Sequence, residues 1–463
     1  MPQSPECLLQ LLQRFFKNRN QIKQIHCLLI TEGHLLCEVK ALSNSKWMRT
    51  LLYNTLIRAH LGFGQAHHSL ILFTQMLSHQ ATPNSHTFPS LIKAASSSSH
   101  LLGTTLHNQA LKRGVLSDPF VQTSFVNFYA HYGKLSDALK MFDEIAEPCI
   151  VANNAMLDAF CKNGDMGSAL FFFKHMPERD VVSWSSVSNG FRRIGNFSEA
   201  IQLFKNMMSC LVRPNEAAYV SLLSSCANLE GWGPLYLGRQ IHGYITRNET
   251  KLTVFMGTAL VDLYGKSGCL NAASNIFDRM LVKEICTWNA MISALSSNGR
   301  EKEALDMFER MKMEGFQPNE VTFVAILTGC ARSKFVELGL KLFRSMTLDF
   351  GIVPVMEHYG CIADLLGRAG LLREATNFIK SMPFEADASV VGALVGACKI
   401  YGTIKLTTEV GQELLALQPQ HCGRYVVLSN INAAMERWDR AADLRRMMVN
   451  AGIQKIPAYS VIG

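Results

Sequence analysis

An all-α solenoid of stacked helix-turn-helix repeats is what three periodic signals predict for this chain. Glycines Gly133, Gly164 and Gly195 stand 31 residues apart. Alanines follow each by five residues (Ala138, Ala169, Ala200) and phenylalanines by nine (Phe142, Phe173, Phe204). The spacing returns in Gly268, Ala273 and Phe277, and again in Gly299, Ala304 and Phe308. A fixed period of this length is the mark of a repeat protein.

Within one period the pattern reads as two helices. From Val182 to Phe191 apolar residues recur at steps of three and four, predicting a first amphipathic helix of about three turns. Gly195 then breaks the chain, since glycine tolerates positive φ at a helix end. Ser198–Met208 reads as the second helix, with Ala200 small enough for the pair to approach closely, and Pro214 closes the unit. Neither helix can bury its apolar face alone, so stacked neighbours must supply the core.

Composition fits this architecture. The hydrophobic content of 48% suits helices that each bury one face, and a net charge of +8 permits a polyanionic partner. The 13 cysteines are scattered and form no C-x-x-C, so they read as reduced, buried small hydrophobes rather than a secreted disulfide framework. No apolar run reaches the roughly 18–20 residues that span a bilayer, so a soluble protein without a membrane partner is expected.

Taken in order, residues 1–49 form an N-terminal segment. Arg14, Lys17, Arg19 and Lys23 face a single acid, Glu6, beside leucines and phenylalanines. That composition fits an amphipathic transit helix and equally the first solvated helix of the array. Residues 21–37 read as the second helix of a repeat whose first half is worn away. Their phrase returns around His107 and His242, and His26, His107 and His242, one per repeat, read as packing residues rather than metal ligands. Residues 50–386 divide into ten units: 50–84, 85–118, 119–149, 150–180, 181–215, 216–253, 254–284, 285–319, 320–355 and 356–386. About three suffice for a stable solenoid.

Tyr53-Asn-Thr-Leu-Ile57, Trp184-Ser-Ser-Val187 and Trp288-Asn-Ala-Met-Ile292 resemble the opening of plant pentatricopeptide repeats. The run Met176-Pro-Glu-Arg-Asp-Val-Val-Ser-Trp184 is similar to a junction between short and standard repeats of that family. The mixture of unit lengths resembles its PLS class, and the resemblance implies a right-handed α-solenoid. Residues 387–463, with Tyr425-Val-Val-Leu-Ser-Asn430 and Arg437-Trp438, resemble the paired E motifs that follow such arrays. In many relatives a DYW domain, a zinc-dependent cytidine deaminase, comes next; here the sequence reaches Ser460-Val-Ile-Gly463 where it would begin.

Zinc deamination needs an H-x-E and a P-C-x-x-C. None of the 14 histidines is followed two places later by glutamate, and there is no C-x-x-C, P-loop, G-x-S-x-G or H-E-x-x-H. No enzyme and no cofactor are therefore expected, which leaves binding. The resemblance implies that each repeat reads one base of single-stranded RNA through its fifth and last residues. The second residues, Leu51, Phe120, Val151, Val182, Phe255 and Cys286, would pack on base faces. The implied pairs are Asn54 with Asn84 for C, Asn154 with Asp180 for U, Ser185 with Asn215 for A, and Asn289 with Asn319 for C. Thr123 with Cys149 and Thr258 with Glu284 imply purines, while Val220 and Val324 offer little at the fifth place.

Asn84, Asp180, Asn215 and Asn319 also fit ordinary helix caps, which need no RNA. The fifth positions lie inside the first helix, where no cap is needed. Trp184 and Trp288 read as core residues. The expected function is that of an RNA-binding factor that selects cytidines for conversion to uridine in organellar transcripts, with a DYW-type deaminase and other editing factors in trans. The organelle expected is the mitochondrion, or alternatively the chloroplast. RNA stabilisation or intron splicing, and a protein scaffold like the related tetratricopeptide repeats, are the competing readings.

Overall fold

The computed structural model describes residues 4–35, 44–229, 232–249, 251–387, 390, 393–394, 396–397, 425–426, 429, 432–433 and 436–451. Among these every regular element is a helix. The chain divides into two compact units, residues 1–225 and 226–463.

The first unit is a row of helical hairpins. They are α1 (Pro5–Arg14) with α2 (Arg19–Thr31), α3 (Asn44–Gly62) with α4 (Ala66–Ser78), and α5 (Phe88–Ser96) with α6 (His100–Lys112). Next come α7 (Pro119–His131) with α8 (Leu135–Asp143), α9 (Ile150–Lys162) with α10 (Met166–His175), and α11 (Val181–Arg193) with α12 (Phe197–Ser209). Each first helix packs against its own partner and against the first helix of the next hairpin. Then come α13 (Glu216–Ala227) and α14 (Trp232–Asn248). The second unit repeats the arrangement in α15 (Val254–Lys266) with α16 (Leu270–Arg279), α17 (Ile285–Ser297) with α18 (Glu301–Met313), α19 (Glu320–Ser333) with α20 (Val336–Leu348), and α21 (Met356–Arg368) with α22 (Leu372–Lys380). A further helix, α23, spans Trp438–Asn450. The remainder of the stretch read as E motifs lies for the most part outside the described residues.

The periodic residues do what their chemistry suits. Gly133, Gly164, Gly195, Gly268 and Gly299 adopt φ between +71° and +80°. After Gly195 the chain closes the helix end with two bonds, Gly195 N–H to Arg192 O (3.2 Å) and Asn196 N–H to Phe191 O (2.9 Å). The five alanines are fully buried between paired helices. The phenylalanine of one hairpin meets the tryptophan of the next edge-on: Phe173 with Trp184 at 4.8 Å and Phe277 with Trp288 at 4.9 Å between centroids, both at 78°. Trp184 and Trp288 are buried, as core residues should be.

The N-terminal reading needs a correction. The first half of the repeat at residues 21–37 is not worn away, because α1 supplies it. Ser4 caps α1 by accepting from Cys7 N–H (3.3 Å), Pro5 suits its first turn, and Leu8 and Leu12 are wholly buried. Leu8, Leu9, Leu11 and Leu12 carry the helical spacing, but only the packing of this helix on α2 and α3 shows that it is the first half of the repeat. The helix of the 50–84 unit also starts at Asn44, earlier than the Thr50 boundary.

The histidines tie hairpins together. His107 Nδ1 shares a hydrogen bond with Tyr129 OH (2.6 Å), and His242 Nδ1 with Tyr264 OH (3.0 Å). His26 instead meets the edge of His60, whose ring stacks on His68. Burial, followed by the nearby rings of His60 and His68, brings His26 down to about 4. Burial likewise lowers His60 against the effect of its bond to Gln65, with His68, Lys23 and Arg19 adding to the lowering. An unfolded histidine takes up its proton near pH 6.5, so below that pH the unfolded chain binds more protons and stability falls with falling pH. From pH 6.5 to 5 the expected loss from His26 is about 1.5 kcal/mol. Urea denaturation should therefore show a shallower pH dependence for His26→Leu than for the natural chain, and equal slopes would refute this account.

Candidate functional site

The first helices expose their second residues. Phe120 is 70% exposed and Phe255 57%, and Val151, Val182 and Cys286 are exposed as well, whereas Leu51 is half-buried. An apolar side chain left open at the same place in successive hairpins is not needed by the core.

Beside this row the fifth and last residues come together through a recurring three-residue network. In the 50–84 unit, Asn54 Nδ2 donates to Asn84 Oδ1 (3.1 Å), and the hydroxyl of Thr87 donates to Asn54 Oδ1 (2.7 Å) while accepting from Asn84 N–H (3.0 Å). In the 150–180 unit, Asn154 Nδ2 donates to Asp180 Oδ1 (3.0 Å), and Ser183 Oγ donates to Asn154 Oδ1 (2.6 Å) while accepting from Asp180 N–H (3.2 Å). In the 285–319 unit the same bonds join Asn289 to Asn319 (3.0 Å), Thr322 to Asn289 (2.6 Å) and Asn319 N–H to Thr322 (3.0 Å). The hydroxyls Thr87, Ser183 and Thr322 are buried third members that the sequence reading missed. Each is the third residue of the next unit, so the available signal was the capping-box spacing, here Asp180-x-x-Ser183 and Asn319-x-x-Thr322.

Capping and pairing are thus one device. Asp180 Oδ1 takes the Ser183 N–H (2.9 Å) and Asn319 Oδ1 the Thr322 N–H (3.1 Å). Only an oxygen can accept from a backbone N–H, so the cap fixes which way each side chain faces. Asparagine is left presenting its Nδ2, a donor; aspartate is left presenting Oδ2, an acceptor. Burial raises the Asp180 carboxyl, but the hydrogen bonds from Ser183 N–H, the Asn154 amide and the Ser183 hydroxyl together outweigh it and hold it below the usual carboxylate range. The outward group is then a carboxylate at neutral pH.

The other pairs differ. Asn215 caps α13 through Ala218 N–H (2.9 Å), and Ser185 Oγ lies 3.4 Å from Asn215 Oδ1 while donating to Val181 O at 2.6 Å. Ala218 at the third place brings no hydroxyl to this pair. Thr258 and Glu284 are not joined directly: Thr258 Oγ1 is 2.8 Å from Thr287 Oγ1, which accepts from Glu284 N–H (3.4 Å). Thr123 donates to its own helix at Pro119 O (2.6 Å), and no bond links it to Cys149, which is exposed at the start of α9.

Two of the cavities among the described residues hold locked pairs. One of about 410 Å³ lies between α15, α17 and α19 around Asn289 and Asn319, with Cys286, Val321 and Val324 in its wall. The other, of about 650 Å³, surrounds Asn54 and Asn84. At one place in three first helices a base pairs with an acid four residues earlier: Lys162 with Asp158 (2.6 Å), Lys266 with Asp262 (3.0 Å) and Arg368 with Asp364 (2.7 Å).

Stacked helical hairpins, three of which carry a locked polar pair, define a modular helical-repeat protein. Residues 123–147, 154–181, 182–210, 258–285 and 321–349 match the PPR repeat, residues 283–332 the PPR repeat family, and residues 401–463 the E motif. A pentatricopeptide repeat-containing protein of Arabidopsis thaliana is 54% identical over 463 residues, covering 99% of this chain and 97% of its own length. A second from the same plant is 45% identical over 414 residues, 89% of this chain and 66% of that one. A third is 34% identical over 474 residues, covering 96% of both. This chain belongs to the pentatricopeptide repeat family. Among solved structures it is similar to the pentatricopeptide repeat protein PPR10 from maize, at 15% identity and a TM-score of 0.44 over 96% of this chain and 74% of that one. PPR10 in complex with an 18-nt psaJ RNA element gives 16% and 0.45, over 98% and 75%.

Proposed function

We propose that this protein binds single-stranded RNA one base per repeat and specifies cytidines for conversion to uridine in organellar transcripts. A DYW-type deaminase and other editing factors would act in trans through the E region, and the mitochondrion is the proposed site, with the chloroplast as the alternative. The observation that carries the reading is the locked pair. It holds a polar side chain of defined hydrogen-bonding sense beside exposed apolar residues that can cover a base face.

The sense of Asp180, Asn215 and Asn319 follows from their caps, and that of Asn84 from its Oδ1 accepting the Asn54 amide. Outward amide donors at Asn84 and Asn319 complement the ring acceptor of cytosine, and the carboxylate of Asp180 complements the N3–H of uracil. Asn215 beside Ser185 complements the N1 acceptor of adenine. With purines at the Thr123 and Thr258 units, the order is C, any, purine, U, A, any, purine, C, read with the N-terminus toward the RNA 5′ end. The E motif at 401–463 supports recruitment of a deaminase rather than protection of RNA ends.

Sequencing mitochondrial and plastid transcripts from plants with and without the protein tests this directly. Loss of conversion at one or a few cytidines, preceded by bases in that order, is the expected outcome. Intact editing with an unspliced intron or a shortened transcript would assign the protein to splicing or stabilisation instead.

A further inference from the structure

The two cavities that hold locked pairs are not equal. The one around Asn54 and Asn84 is more than half as large again as the one around Asn289 and Asn319, about 650 Å³ against about 410 Å³. Each has the second residue of its own unit and of the next in its wall: Leu51 and His86 in the first, Cys286 and Val321 in the other. The larger cavity is also lined by Gln13 and Phe16, at and just beyond the end of α1, and by Trp47.

Trp47 falls outside the repeat pattern. It exists as a helical residue because α3 starts at Asn44, ahead of the Thr50 boundary, and it stands one turn before Leu51. Trp47, Leu51, Asn54 and Arg58 follow one another at steps of three and four, which aligns them along one face of α3. Its indole is 64% exposed, unlike Trp184 and Trp288 at their places in the core. A wide aromatic face that the core does not use, on the wall of a cavity that already holds a reading pair, is the feature on which bases stack in single-strand binders.

We propose that Trp47 is the platform for one additional nucleobase, immediately 5′ of the base facing Asn54 and Asn84. This rests on the RNA-binding reading and extends it by one nucleotide that the repeat pattern does not predict. Every base offers a π-face, so the subsite accepts all four. It lengthens the footprint without adding to the sequence read.

The test uses the full chain and RNA oligonucleotides of the order given above, with no addition, with one 5′ nucleotide, or with one abasic 5′ nucleotide. The natural chain should bind the base-bearing extension about tenfold more tightly than the other two, whichever base is added. Trp47→Ala should bring the ratio of extended to unextended binding down to about one, and Trp47→Phe should keep most of the gain. Equal binding of all three RNAs by the natural chain, or an undiminished gain in Trp47→Ala, would overturn the proposal and leave the repeat reading standing. Failure of every RNA to bind would remove the repeat reading and this subsite with it.

Discussion

Asp180→Asn is expected to turn the preference at the base facing the 150–180 unit from uracil to cytosine. Asparagine caps a helix about as well as aspartate, so its Oδ1 would still accept from the Ser183 N–H and the Asn154 amide. The group facing outward then changes from a carboxylate oxygen to an amide Nδ2. A hydrogen bond to a charged group contributes about 1.5–3 kcal/mol, and leaving a polar group unpaired costs a similar amount. The uracil-to-cytosine ratio should therefore move by tenfold or more, measured by fluorescence anisotropy on oligonucleotides that differ only at that base. Thermal stability should stay within about 0.5 kcal/mol, because the cap survives. An unchanged base preference would show that the register of the pairs is wrong.

Trp288→Ala should be the most damaging single change in the second unit. The indole is fully buried, meets Phe277 edge-on and Phe316 at 5.8 Å, and lies under the Arg310 guanidinium at 5.6 Å. Removing a buried tryptophan leaves a cavity between hairpins and costs about 3–5 kcal/mol. Trp288 Nε1 is also buried with no hydrogen-bond partner, so Trp288→Phe gives up no polar bond and should cost under about 1.5 kcal/mol. Urea denaturation of both variants checks this ordering. A Trp288→Ala chain as stable as the natural one would mean that the hairpins adjust independently of the Phe–Trp contacts.

Much of the site was legible because its parts are local. Asp180 and Asn319 are readable as caps from a few neighbouring residues, and Trp184 and Trp288 as core from their place in the first helix. The pairing of Thr258 with Glu284 was less legible. The structure routes Thr258 to Thr287 instead, whose hydroxyl lies 2.8 Å away. That Thr123 donates within its own helix, at Pro119 O, was likewise not legible from spacing.

By itself the sequence determined the hairpin and its period. Positive φ at glycine, an alanine at the close approach and a phenylalanine for the next hairpin are properties of single residues at set spacings, and they act within one turn or one unit. Only the tertiary structure decided that α1 joins the row, that Trp47 is left exposed beside the larger cavity, and that a hydroxyl from the following unit locks Asn54, Asn154 and Asn289. Those outcomes join groups 26 to 33 residues apart in the chain, and hydrogen bonds of that reach have no partner until neighbouring hairpins have packed.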